Sequence, residues 1–301
     1  LGYKQYQLEN EIKFCLNNYE KRIEGVMKNF NNKVAVITGA GGGIGGALAK
    51  ALARRGCHLA LVDYNPDMLE KTLSTLTETN VKLSTHIADV TDKKRMAALP
   101  DEIVAEHGRV DLLINNAGIT LQKSFDTHSI EDWERILNLN FWGVLYGCKF
   151  FKPFLEKSKE AHVVNMSSMT GMLGLPAQSS YCATKAAVKG LTESLWAEWG
   201  AAGIGVTSVH PGAIKTDMMQ ATLKDSDDLA AAQKNMEMVA KIGMAPDAAA
   251  EKILRAVQKK KMKVLVGKDA VIMDAMKRFT PGLIHGLFAK VARKQLAAAR
   301  N

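Results

Sequence analysis

Ser168, Tyr181 and Lys185 are residues whose types and spacing could do chemistry. They lie in the stretch SSMTGMLGLPAQSSYCATKAA, from Ser167 to Ala187. A phenol is a poor base near neutrality, with an ordinary pKa of about 10. In a helix Lys185 stands one turn beyond Tyr181 on the same face, and an ammonium near a phenol favours the phenolate. The spacing therefore predicts a tyrosine whose proton affinity falls toward the working pH, where a general acid or base is most useful. Ser168 closes a predicted strand, so its hydroxyl can reach a substrate oxygen from the other side.

A second constellation precedes it. TGAGGGIG, from Thr38 to Gly45, joins a Val- and Ile-rich strand to an alanine-rich helix. Gly39, Gly43 and Gly45, with Ile44 between the last two, allow a tight turn, close approach of a pyrophosphate and helix-on-strand packing. The helix N-terminus adds N–H donors. Glycine-rich turns serve many purposes, so the loop gains meaning from Asp63, 24 residues beyond Gly39 at the end of the second predicted strand. A carboxylate there accepts hydrogen bonds from the adenosine ribose and repels a 2′-phosphate. No Arg or Lys occupies the loop or the position after Asp63, which is Tyr64. The expectation is NAD(H) over NADP(H), with Arg54 and Arg55 facing solvent. Asp89 and Val90, in IADVTD, are placed at the adenine edge, whereas Thr91 or Asp92 better suits the cap of the following helix. Asn116, Ala117 and Gly118, within NNAG, combine strand-tying amides with small side chains that leave room for a cofactor.

These residues need a scaffold that brings them together. From Lys33 on, short Val/Ile-rich runs alternate with longer helical patterns, the signal of repeated βαβ units and a parallel sheet buried on both faces. The runs at 33–38, 58–63, 81–87, 110–115, 161–167, 204–210 and 263–267 predict seven strands in one doubly wound α/β domain.

Composition bounds the rest. With 301 residues, 47% of them hydrophobic, the chain can build a large core. No window approaches about 18 uninterrupted apolar residues, and the first residues lack the apolar core of a secretory signal, so a cytoplasmic protein is expected. Cys15, Cys57, Cys148 and Cys182 stand far apart with no CxxC pair, suggesting neither a disulfide framework nor a metal site. Cys182 is expected to be a packing residue. The net charge of +9 is concentrated at the end of the chain, where residues 252–301 hold thirteen Lys or Arg against two Asp. Without an RNA-binding motif or interleaved aromatics, this reads as a solvated helical face rather than a nucleic-acid surface. Residues 1–32 form an N-terminal extension, and Met27, opening MKNFNNKVAVITG, predicts a natural start there. Residues 268–301 form a basic helical C-terminal extension, broken at Pro281-Gly282, whose uses include a lid, a subunit contact or a shallow membrane-surface helix.

Taken in order, TGAGGGIG, Asp63, NNAG, LNLNFWG, Ser168, Tyr181, Lys185 and HPGAIKT closely resemble the short-chain dehydrogenase/reductase family over residues 33–267. The resemblance implies a single-domain Rossmann fold and a homodimer or homotetramer. It implies Ser168 as the substrate-orienting serine, Tyr181 as the acid/base, and Lys185 as both modulator of the tyrosine and holder of the nicotinamide ribose. Asn140 is implied as the fourth member, its main chain holding a water that links Lys185 to solvent; it is preferred to Asn138 because it stands three before Gly143. His210, Pro211 and Gly212 resemble the turn lining the nicotinamide, with Ile214 and Thr216 at its carboxamide. No metal is implied. The expected reaction is NAD-dependent interconversion of an alcohol and its carbonyl. Alternatives are an NADPH-dependent ketoreductase, a nucleotide-sensing protein on the same fold and a membrane-associated scaffold. Met169, Met172, Leu173, Leu175, Met218 and Met219 suggest an apolar pocket wall and lid, hence a neutral or hydrophobic substrate, although they serve equally well as core or dimer filler.

Overall fold

The computed structural model describes residues 27–76, 79–216, 218, 223 and 225–298. Cys15, Met219 and most of the expected lid after Thr216 lie outside the described residues. The chain alternates strand and helix: β1 (Val34–Thr38), α1 (Gly43–Ala53), β2 (His58–Asp63), α2 (Pro66–Ser74), β3 (Leu83–Ile87), α3 (Lys93–His107), β4 (Leu112–Asn115) and α4 (Ile130–Leu137). A π-helical turn, Asn138–Trp142, leads into α5 (Gly143–Leu155) and β5 (His162–Met166). A 3₁₀ turn, Met169–Gly171, precedes α6 (Ser179–Gly200) and β6 (Gly205–Pro211). Then come α7 (Leu229–Ile242), α8 (Pro246–Gln258), β7 (Lys263–Val266), α9 (Lys268–Phe279) and α10 (Pro281–Ala298).

The seven strands form one sheet in the order β3-β2-β1-β4-β5-β6-β7, every neighbouring pair parallel. β1 reads VAVIT and is buried throughout, as a strand covered on both faces must be. Its side chains alternate between two cores. Ala35 and Ile37 join Leu48, Leu52, Ile253 and Val257 beneath α1 and α8. Val36 joins Met96, Leu99, Leu113 and Phe151 beneath α3 and α5. Strand order reverses between β1 and β4, which opens a crevice at their carboxyl ends.

Strand ends differ from the sequence reading by one or two residues. β4 starts at Leu112, because the buried Asp111 before it turns its carboxylate to the Val34 N–H at 2.9 Å. Both terminal boundaries also reach further into the domain than expected. Met27 and Phe30 are buried against the α1 side of the core, and Gln258 donates to the Lys28 carbonyl at 2.9 Å. At the other end, Ala270 and Ile284 are buried. The break predicted at Pro281-Gly282 falls at Thr280, with Pro281 opening α10 as a first-turn proline should.

Among the described residues no helix is long and apolar enough to cross a membrane, and no group of three or more His, Cys, Asp or Glu is placed to hold a metal ion. Cys57, Cys148 and Cys182 are free and buried, and Cys182 takes a hydrogen bond from the Leu175 N–H at 3.3 Å, the packing role expected of it.

Candidate active site

The carboxyl edge of the sheet gathers the expected residues. Gly39 follows β1, Asp63 ends β2, Asp89 and Val90 follow β3, Asn116 to Gly118 follow β4, Ser168 follows β5, and Gly212 to Thr216 follow β6. Parallel pairing across the sheet from β3 to β7 brings all these ends to one side.

Tyr181 and Lys185 stand one turn apart on α6, the lysine Nζ 5.7 Å from the centre of the phenol ring. Lys185 is buried and donates to the Met166 carbonyl at the end of β5, at 2.9 Å. Ser168 is buried and caps the 3₁₀ turn, its Oγ accepting from the Thr170 N–H at 3.1 Å. Asn140 lies in the π-helical turn and is fully buried, while Asn138 is exposed. The Asn140 amide clasps the Ile119 backbone, accepting its N–H and donating to its carbonyl, each at 2.9 Å, and also donates to Thr184 Oγ1 at 3.3 Å. Gly118 separates Asn140 from Lys185: a Cβ there would lie 3.1 Å from Asn140 Oδ1 and 3.2 Å from Lys185 Nζ.

Lys185 alone does not produce the expected depression of the tyrosine. In the isolated chain burial pushes the Tyr181 phenol up to about 12, opposed by a hydrogen bond with the Ser168 side chain. Burial also brings Lys185 down to about 8. Desolvation dominates both groups, and Nζ, bonded to a backbone carbonyl, sits 5.7 Å from the ring centre. Depressing the tyrosine therefore requires positive charge beyond what this pair supplies.

The glycine loop forms a cradle. Gly39 and Gly43 have φ of 63° and 54°, left-handed values that favour glycine. A Cβ on Gly45 would fall 2.1 Å from the Gly39 carbonyl oxygen. No side chain caps the N-terminus of α1, and its first turn contains no acidic residue, so its N–H groups are free to meet an anion. Asn116 Nδ2 ties the loop to β4 through the carbonyls of Thr38 and Gly39, both at 3.0 Å, and Thr38 Oγ1 accepts from the Asn116 and Ala117 N–H groups. Asp63 Oδ2 accepts from the Gly41 N–H at 2.9 Å and Oδ1 from the Asn65 N–H at 3.1 Å, holding the carboxylate at the loop's mouth. Uncapped amides and an acidic group at the end of β2 fit a dinucleotide's pyrophosphate and ribose.

Other expected residues fall variously. Ile44 packs on the core, and Val90 is buried with its side chain against Gly143, leaving its backbone as the part able to meet a ligand. Asp89 is exposed and accepts from the Thr91 N–H at 2.8 Å, while Asp92 caps α3, as the sequence suggested. Arg54 faces solvent; Arg55 turns to the Ala51 carbonyl and pairs with Glu251 rather than standing free. Thr216 lies against Gly43, and Ile214 forms a bridge with Met244. Leu173 is buried, whereas Met169, Met172 and Leu175 keep partial exposure beyond Ser168, and Met218 is exposed.

His210, like Pro211, belongs to β6 and not to the turn to which its motif assigns it. It is a fully buried residue of β6, with Nδ1 3.0 Å from the Ser168 carbonyl and Nε2 2.9 Å from Ser208 Oγ. A carbonyl only accepts, so Nδ1 carries the proton and Nε2 takes the Ser208 hydroxyl. Burial lowers its pKa to about 4, so the ring is a neutral brace behind Ser168. Asp269, in the first turn of α9, escaped the sequence reading altogether. Its Oδ2 accepts from the Ala213 N–H at 2.6 Å and abuts Gly212, so the C-terminal extension helps shape the turn after β6. An acidic residue in a helix's first turn is a weak cue that names no long-range partner.

Residues 33–227 match the family described as short chain dehydrogenase. A Mycobacterium tuberculosis protein named as an oxidoreductase, SadH, is 38% identical over 255 residues, 84% of this chain and 92% of its own length. A short-chain dehydrogenase/reductase from Burkholderia phymatum, solved in complex with NAD, has a TM-score of 0.77 at 28% identity, covering 85% of this chain and 96% of that one. An alcohol dehydrogenase from the archaeon Thermococcus sibiricus, complexed with 5-hydroxy-NADP, has a TM-score of 0.66 at 28% identity, covering 78% and 95%. Fold, glycine cradle and sequence likeness converge: this chain belongs to the short-chain dehydrogenase family and is an oxidoreductase of the kind that works with a nicotinamide cofactor.

Proposed function

We propose that this protein interconverts a neutral or hydrophobic secondary alcohol and its carbonyl with NAD(H), with Tyr181 as general acid/base. One placement carries the reading: Ser168 from the end of β5 and Tyr181 and Lys185 from α6 stand at the same sheet edge as the uncapped glycine loop. When bound, the oxidised nicotinamide supplies the hydride acceptor and a positive charge. In the oxidative direction Ser168 Oγ–H donates to the substrate oxygen while Tyr181 takes the hydroxyl proton; reduction reverses the transfer. Lys185, near the phenol, favours its ionised form together with the positive charge that the nicotinamide would bring, and Asn140 holds Ile119, next to Gly118, in place beside it. NAD over NADP is supported by the anchored Asp63 carboxylate and by Tyr64, exposed in the next position.

NADP(H) is the second reading, because Lys50, Lys71 and Lys215 line a cleft of about 280 Å³ beside Gly41 to Gly43. The substrate class rests on partly exposed Met169, Met172 and Leu175 and on the absence of Lys or Arg from residues 169–178, where a carboxylate clamp would sit. Residues 33–267 carry the reaction, with 268–301 as an extension to it. A homodimer or homotetramer through the α5 and α6 helices is supported by the aromatic row Trp142, Tyr146 and Phe150 and by the exposure of Trp142.

The test is a rate screen over alcohols of rising length and bulk, with NAD⁺ and NADP⁺ side by side. Turnover should favour NAD⁺ and bulkier neutral alcohols. Tyr181→Phe should lower kcat by about a thousand-fold while NADH binding, read by fluorescence, persists. Retained activity in that variant would remove Tyr181 from the role; faster turnover with NADP⁺ would move the cofactor to the second reading.

A further inference from the structure

The two helices after the sheet carry an apolar outer face left open among the described residues. In α9, Val271, Ile272 and Phe279 are 46%, 56% and 78% exposed. At about 100° per residue they share one side of the helix. The other side holds the buried Ala270 and the partly exposed Asp274, whose carboxylate meets Lys263 of β7 at 2.7 Å. In α10, Leu283 and Leu287 stand one turn apart at 61% and 53% exposure, while the intervening Ile284 is buried. Single exposed apolar residues are ordinary, but three on one side of α9 and two one turn apart on the adjoining α10 give each helix an apolar face that calls for a partner.

Charge says what kind. Arg278, Lys290 and Arg293 are exposed around these side chains, and residues 268–301 hold seven Lys or Arg against two Asp. We propose that this face docks on an anionic lipid bilayer, the apolar side chains entering the interface and the cations meeting headgroups. A second copy of the chain would set the same cations against themselves across a two-fold contact, which costs free energy instead of releasing it. The patch also adjoins the reaction site. Asp269, in the first turn of α9, holds the turn after β6, so docking there would bring the site's carboxyl edge close to the bilayer, where a hydrophobic alcohol partitions.

The experiment is sedimentation of the full chain with vesicles of phosphatidylcholine alone or mixed with phosphatidylglycerol, at low and high salt. At low salt binding to the mixed vesicles should be about ten-fold stronger, and high salt should remove the difference. The double variant Leu283→Glu/Leu287→Glu and the triple variant Arg278→Gln/Lys290→Gln/Arg293→Gln should each lose this excess, with NADH binding and melting temperature unchanged. The triple variant stands in if the double variant fails to fold. No binding, equal binding to both vesicle types, or wild-type binding by the triple variant overturns the proposal. So does light scattering in which the double variant dissociates an oligomer that the wild type keeps on vesicles and off, since the face would then belong to a second copy.

Discussion

At the scale of single residues, the site depends on a gap as much as on functional groups. Gly118 keeps Asn140 and Lys185 apart, and a methyl group there would press on both polar side chains at 3.1 and 3.2 Å. Either must yield by a few tenths of an ångström. Gly118→Ala should therefore lower kcat by about ten-fold with little change in melting temperature, since small misplacements of reacting groups are expensive in rate. Steady-state kinetics beside a thermal melt will check this; an unchanged kcat would mean that this spacing does not limit the reaction. Tyr181 and Lys185 were legible in the sequence because their spacing on one helix is a local property, whereas Gly118 and Asn140 come from separate elements and were legible only through the order of their motifs. His210 was legible as a position, but its duty was not: its ring answers to Ser168, 42 residues away, as well as to the neighbouring Ser208, and no local pattern encodes the Ser168 contact.

At the scale of elements, the strands announced themselves by runs of Val and Ile, and their ends were less visible. Asp111 shows why. Its buried carboxylate accepts the Val34 N–H and takes further hydrogen bonds from Arg109 and from Ser158, joining the starts of β1 and β4 to the segment before β5. Those contacts are long-range, so the sequence reading ran β4 back through residues that serve as a clasp. Asp111→Ala would leave a buried backbone N–H without an acceptor and should cost roughly 1–3 kcal/mol. A urea titration measures it, and a loss below about 1 kcal/mol would show that the clasp is redundant. The π-helical turn at Asn138–Trp142 was hidden for another reason: one extra residue in a helical turn leaves the apolar pattern on either side intact.

At the scale of the whole molecule, the buried imidazoles make stability depend on pH on the acid side. Burial lowers His210 to about 4 and His162 to about 3, while an unfolded chain has them near the ordinary value of 6.5. Between those values the unfolded state binds more protons, so stability rises with pH there and is lost as pH falls from about 6.5 toward 4. The His210 contribution is on the order of 3 kcal/mol at the acid end. His210→Asn, which keeps a donor near the Ser168 carbonyl, should flatten the fall in melting temperature across that range. An equally steep fall in the variant would place the acid sensitivity elsewhere.

Asp269 ties two regions into one thermodynamic unit. Because its carboxylate belongs to helix α9 and holds the backbone of Ala213, any force that tilts α9 must be felt where the chain leaves β6. Reciprocity then requires that whatever settles beside that turn also biases the helix, so attachment outside and occupancy inside report on each other.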